Sequence, residues 1–95
     1  MARIVLAPQV QDDIDRIFDF LFEHVPDSAA ERVAAIIAAI NVLETSPRIG
    51  RPIDDGKRAL AISTGASCYV ALYRYLPELD AVFALAICSQ REAGY

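Results

Sequence analysis

Lysine is nearly missing from this chain of 95 residues, where Lys57 stands alone beside eight arginines. Tryptophan is absent, histidine and methionine occur once each, and glycine occurs four times. Each shortage excludes something. One histidine and two cysteines leave no Cys/His spacing for a metal centre, and no metal or other cofactor is expected. The few glycines form no phosphate-cradling loop, and no nucleophile elbow is present. Two cysteines cannot make the disulfide framework of a small secreted domain. No uninterrupted apolar run approaches the roughly 18 residues of a membrane span, and "MARIVLAPQVQDD" is too short in apolar character for an export signal. These readings lead to a cytoplasmic domain with reduced thiols and no membrane partner.

What is present is a large apolar fraction, 55%. In a chain of this length it serves one domain, residues 1–95, with a modest core. The net charge of −4 hides an asymmetry. Residues 1–47 hold three arginines and eight acids, for −5, whereas residues 48–95 hold six cations and five acids, for +1. Four of those cations fall within "RIGRPIDDGKR", which allows a local basic surface on an acidic protein. A general nucleic-acid binder is usually basic throughout, and this chain is not.

The periodicities are legible. "ARIVLA" suits a first strand. Pro8 fits a first helical turn, and Val10, Ile14, Ile17, Phe18, Leu21 and Val25 follow at near-helical spacing. Asp12, Asp13, Asp15 and Asp19 lie mostly off that stripe, on a face expected to be solvated. Pro26 ends the helix. Ser28 and Glu31 have capping-box spacing ahead of a second helix through Val33, Ile36, Ile37, Ile40 and Leu43. Its many alanines permit close approach to the first helix in an αα-hairpin. "PRIGRPIDDGKR" reads as a loop, and "ALAIS", "CYVALYRY" and "AVFALAICS" as three strands joined by short turns. The expected fold is α+β: a helical hairpin on one face of a small, mainly antiparallel sheet, in the order β-α-α-β-β-β.

Candidate chemistry is sparse. His24, late in the first helix, reads more simply as a helix-end group than as a catalytic base. The sheet half offers Arg58, Arg74 and Arg91 near strand ends, and arginine forks suit phosphate or carboxylate partners. Scattered surface arginines are the plain alternative. If Tyr75 opposes Ala81, paired numbers sum to 156, and Cys68 faces Cys88; a one-residue slip undoes this. The competing reading is two buried thiols that behave as small hydrophobes. Phe20 and Phe22 fall at the margin of the first helix's core stripe, so they are either core or a surface left for a partner.

Together, "APQVQDDIDRIFDFL", "SPRIGRP" after the second helix, "CYVALYRY" and the closing "SQREAGY" carry a resemblance over nearly the whole chain. It resembles the RelE/ParE superfamily of toxins from type II toxin–antitoxin modules, the ParE branch more closely. The resemblance implies a toxin held inactive by a cognate antitoxin in a hetero-oligomer, the antitoxin lying over the helical hairpin, with Phe20 or Phe22, and along the sheet. It implies DNA gyrase as the target of a ParE-like member, met by Arg58, Arg74, Arg91 and Tyr95. For a RelE-like member it implies mRNA on the ribosome, with the same four residues as the catalytic set. A third outcome is an antitoxin-binding module without toxicity. Cys88 stands where the family pattern tends to carry arginine, and Cys68 where it tends to carry glycine. The single lysine and the pI near 4.7 weigh against tight RNA engagement and toward gyrase.

Overall fold

A computed structural model describes residues 1–64 and 67–89 of the chain. The first strand, β1 (Arg3–Leu6), runs into helix α1 (Pro8–His24), with Pro8 in its first turn. Helix α2 (Ala29–Asn41) follows, and a 3-10 turn over Val42–Glu44 carries its line onward. The chain then forms β2 (Arg51–Pro52), β3 (Lys57–Thr64), β4 (Ser67–Leu76) and β5 (Ala81–Ser89). One five-stranded sheet results, in the order β1-β5-β4-β3-β2. Among the described residues the β1–β5 pair is parallel and the other pairs are antiparallel. The α+β architecture expected from periodicity is the observed one, with one addition. The loop "PRIGRPIDDGKR" contains the two-residue strand β2, too short for any alternating pattern to announce it.

Both helices cover the same face of the sheet. Val10, Ile17 and Leu21 from α1 and Ala29, Ile36 and Ile40 from α2 pack on Ile62, Tyr69, Ala71, Ala84 and Ile87. A smaller cluster of Ala2, Leu43, Tyr73 and Val82 continues the core toward the other end. Strand alternation therefore places Tyr69, Ala71 and Tyr73 toward the helices and Leu72 and Arg74 toward the opposite face.

Several local details differ from the sequence reading. Ser28 makes no capping bond to α2; its Oγ donates to the Val25 carbonyl at 3.5 Å and accepts from Arg32 Nε at 3.1 Å. The capping box is thus replaced by a serine that ties the interhelical turn to the second helix. Phe18, counted in the core stripe, is 36% exposed. The β4–β5 register is also shifted from the one that would join the cysteines. Leu76 opposes Ala81 and Tyr75 opposes Val82, and a bulge at Leu85 then adds one more step, so Cys88 opposes Val70. Cys68 opposes Ser63 on the other neighbouring strand. The two cysteines form no disulfide with each other; Cys88 Sγ lies 4.0 Å from the Val70 carbonyl, and Cys68 is exposed rather than buried as a small hydrophobe.

Candidate functional site

The segment after α2 is organised by two side chains of the sheet. Tyr73 stands fully buried on the helix side, and its hydroxyl donates to the Pro47 carbonyl at 2.8 Å and accepts from Gly50 N at 2.9 Å. Arg58 lies directly across from Tyr73 in the β3–β4 pair. Its guanidinium donates to the carbonyl of Gly50 at 2.8 Å and to that of Arg48 at 3.1 Å. Gly50 is required here, because a Cβ on it would stand 2.7 Å from the Tyr73 ring and hydroxyl. "SPRIGRP" is consequently clamped at Pro47, Arg48 and Gly50, and the side chains of Arg48 and Ile49 are turned outward. Ile49 is exposed, and Arg48 stacks 5.0 Å above the Tyr75 ring.

Electrostatics in this region follow from burial and hydrogen bonding. Burial pushes the Tyr73 phenol above its ordinary value, against the smaller opposing effects of the Gly50 N–H and the Arg58 charge. Tyr75 is raised chiefly because its hydroxyl donates to Asp80 Oδ1 at 3.0 Å. Both phenols hold their protons more firmly than a free tyrosine.

The arginines singled out in the sequence are distributed differently. Arg58 is on the helix side and bonded to loop carbonyls. Arg74 opposes Lys57, two cations directly across a strand pair on the other face. The Arg74 guanidinium lies below the turn at Gly56, whose φ of +72° suits glycine. Beside it, a shallow depression of about 360 Å³ is lined by Arg51, Pro52, Ile53, Asp54, Asp55, Lys57 and Leu72. Adjacency in register thus brings Arg58 and Arg74 close along the sheet, while alternation sends them to opposite faces. Arg91 and Tyr95 lie outside the described residues.

The acids of α1 divide as well. Asp13, expected on the solvated face, is 5% exposed. Its Oδ2 accepts from Ile87 N at 2.9 Å, and its Oδ1 from Gln9 Nε2 at 2.8 Å, with Arg16 at 3.7 Å. The cause is topological. β1 ends at Leu6 opposite Ala84, so among the described residues no strand neighbours that edge further along β5, and Asp13 supplies the acceptor. No sequence pattern flags this, because the acceptor is 74 residues from its donor. His24 Nδ1 donates to the Phe20 carbonyl at 2.8 Å, and the two rings stack at 4.2 Å. Phe20 and Phe22 are both 59% exposed, which settles them as surface rather than core. Among the described residues no cluster of three or more potential metal ligands occurs, and no helix is long and apolar enough to cross a membrane.

Comparison with known proteins adds a consistent set of likenesses. A family model described as the ParE toxin of type II toxin–antitoxin systems, parDE, matches residues 4–94. "Toxin RelE1" of Caulobacter vibrioides is 30% identical over 73 residues, which span 77% of this chain and 78% of that protein. Among solved structures, the chromosomal ParDE toxin–antitoxin system from P. aeruginosa superposes with a TM-score of 0.79 at 22% identity, over 94% of this chain and 96% of the other. The RelBE2 toxin–antitoxin complex from Mycobacterium tuberculosis gives a TM-score of 0.59 at 21% identity, over 93% and 96%.

Proposed function

The chain belongs to the ParE toxin family of type II toxin–antitoxin systems, and from that premise we propose that it arrests growth by binding DNA gyrase rather than by cutting RNA. The observation that carries the proposal is the division of the sheet cations. Cleaving RNA demands several cations converging on one phosphate and a group able to take a 2′-hydroxyl proton. Here Arg58 is engaged with the carbonyls of Arg48 and Gly50, while Lys57 and Arg74 face the other way. A binding surface needs no such convergence. In this reading Arg74 contacts gyrase, as do Arg91 and Tyr95 of the closing segment, and Arg58 holds the 47–50 loop in place. A cognate antitoxin neutralises the toxin by covering the helical hairpin, with Phe20 and Phe22 as contacts, in a hetero-oligomer in the cytoplasm.

The test is a supercoiling assay with purified gyrase, set beside an mRNA-cleavage assay on translating ribosomes. Inhibited supercoiling with trapped cleaved DNA is the expected result, weakened at least tenfold by Arg74→Ala. Ribosome-dependent cleavage of mRNA with gyrase untouched would establish the RelE-like reading instead, which the name of the Caulobacter relative favours. Neither activity, with antitoxin binding intact, would leave a non-toxic binding module.

A further inference from the structure

The outer side of α1 carries a pattern that toxin membership does not require. Asp12, Asp15, Asp19 and Glu23 are all exposed. Their spacing of three, four and four residues lays them in one row along the helix. Each step of that row sets like charge beside like charge, which destabilises a helix on its own. Among the described residues Asp12, Asp19 and Glu23 form no ion pair, and Asp15 is met by the neutral Gln11 amide at 3.0 Å. Exposed phenylalanines border the row on both sides. Phe18 and Phe22 share one border with their ring centroids 5.9 Å apart, and Phe20 holds the other, stacked on His24. Three exposed phenylalanines on one helix make an apolar surface of the kind that partners cover.

We propose that this face of α1 docks a cationic amphipathic segment, with a row of lysine or arginine side chains flanked by apolar ones. The inference rests on the antitoxin reading above and adds the chemistry that the antitoxin's docking segment must have. Charge selects the occupant. A second copy of this chain would press one carboxylate row against another, and an anionic lipid surface would be repelled. A cationic helix relieves the repulsion along the row and buries the rings beside it.

The experiment titrates two synthetic helical peptides of equal length into the full-length chain. One carries lysines at matching spacing with leucines on either side; the other replaces every lysine with glutamate. The chain is used as wild type, as D12N/D15N/D19N/E23Q and as F20S/F22S, with thermal unfolding to verify that the variants fold. The lysine peptide should bind the wild type at least tenfold more tightly than the glutamate peptide, with affinity falling as salt rises. Each variant should lose tenfold or more of that affinity. Equal binding of the two peptides, no binding of either, or undiminished binding to F20S/F22S overturns the proposal. In parallel, growth is followed with the neighbouring gene co-expressed. Rescue of the wild type and equal rescue of the four-carboxylate variant would overturn this surface and leave the antitoxin reading standing. No rescue, with the peptides behaving as expected, would remove the antitoxin reading and leave the surface.

Discussion

Asp13 sits among five acids of α1, and it is the one that turns inward. Asp13→Ala would leave the Ile87 N–H without its acceptor, at a cost of about 1–3 kcal/mol for a buried donor. Asp13→Asn keeps an acceptor oxygen and should cost less. Urea denaturation of the two variants checks the order; equal losses would mean that the carboxylate's charge, not the hydrogen bond, carries the effect. Tyr73 makes a similar case. Tyr73→Phe removes both the donor to Pro47 and the acceptor for Gly50 N, and should cost about 1–3 kcal/mol. It should also change the pH dependence. The unfolded phenol ionises near pH 10.0, and burial raises the folded value above that. Between the two values the folded state keeps a proton that the unfolded state has released, so rising pH favours unfolding. The contribution is fully present below pH 10.0 and is lost as the pH climbs through the folded value. Chemical denaturation at alkaline pH should show a decline for the wild type that is shallower in Tyr73→Phe.

At the scale of elements, the bulge in β5 decides which side chains meet. Before it Val82 and Ala84 face the helices; after it Ile87 does. Without the extra residue at Leu85, Ile87 would point away from the core, since one step exchanges the faces of a strand. The cysteines are already out of register at the turn, where Leu76 opposes Ala81, and the bulge moves them one step further apart. Thiol titration of unreduced protein should therefore find two reactive groups, Cys68 reacting first because it is exposed. One or no titratable thiol would contradict the observed register. The helices show the corresponding contrast between covered and open faces. Ile36→Ala removes a side chain with no exposure and should cost about 2–5 kcal/mol. Phe20→Ser changes an exposed position and should stay within about 0.5 kcal/mol in thermal unfolding of the chain alone. A large loss for Phe20→Ser would show that its stack on His24 supports the helix end.

For the molecule as a whole, the charge asymmetry of the two halves becomes a difference between two surfaces. The acidic first half supplies α1, whose outer side carries the carboxylate row, and the second half supplies the sheet face with Lys57 and Arg74. Two partners can therefore engage different sides of one small domain. Induced expression should arrest growth with filamentation and DNA-damage signalling, relieved by the neighbouring gene. Arrest with rapid loss of translation and no damage signal would instead indicate the ribosome as target.

The amino-acid sequence by itself determined what depends on neighbours along the chain. Apolar spacing specified α1, α2 and the three long strands, and "AVFALAICS" corresponds residue for residue to β5. The ordered motifs from "APQVQDDIDRIFDFL" to "SQREAGY" were enough to reach the toxin superfamily. Tertiary structure decided whatever depends on residues distant in sequence. Whether Asp13 is solvated turns on where β1 stops beside β5, and whether Arg58 is free turns on the carbonyls of a loop folded back over it. The cysteine geometry turns on the register at the β4–β5 turn, where Leu76 opposes Ala81, and on one bulged residue. For Asp13 and Arg58 the side chain's chemistry is written in the sequence, but its partner is a backbone group brought close only by folding. Backbone groups have no residue-specific signature, so these partnerships become visible only in three dimensions.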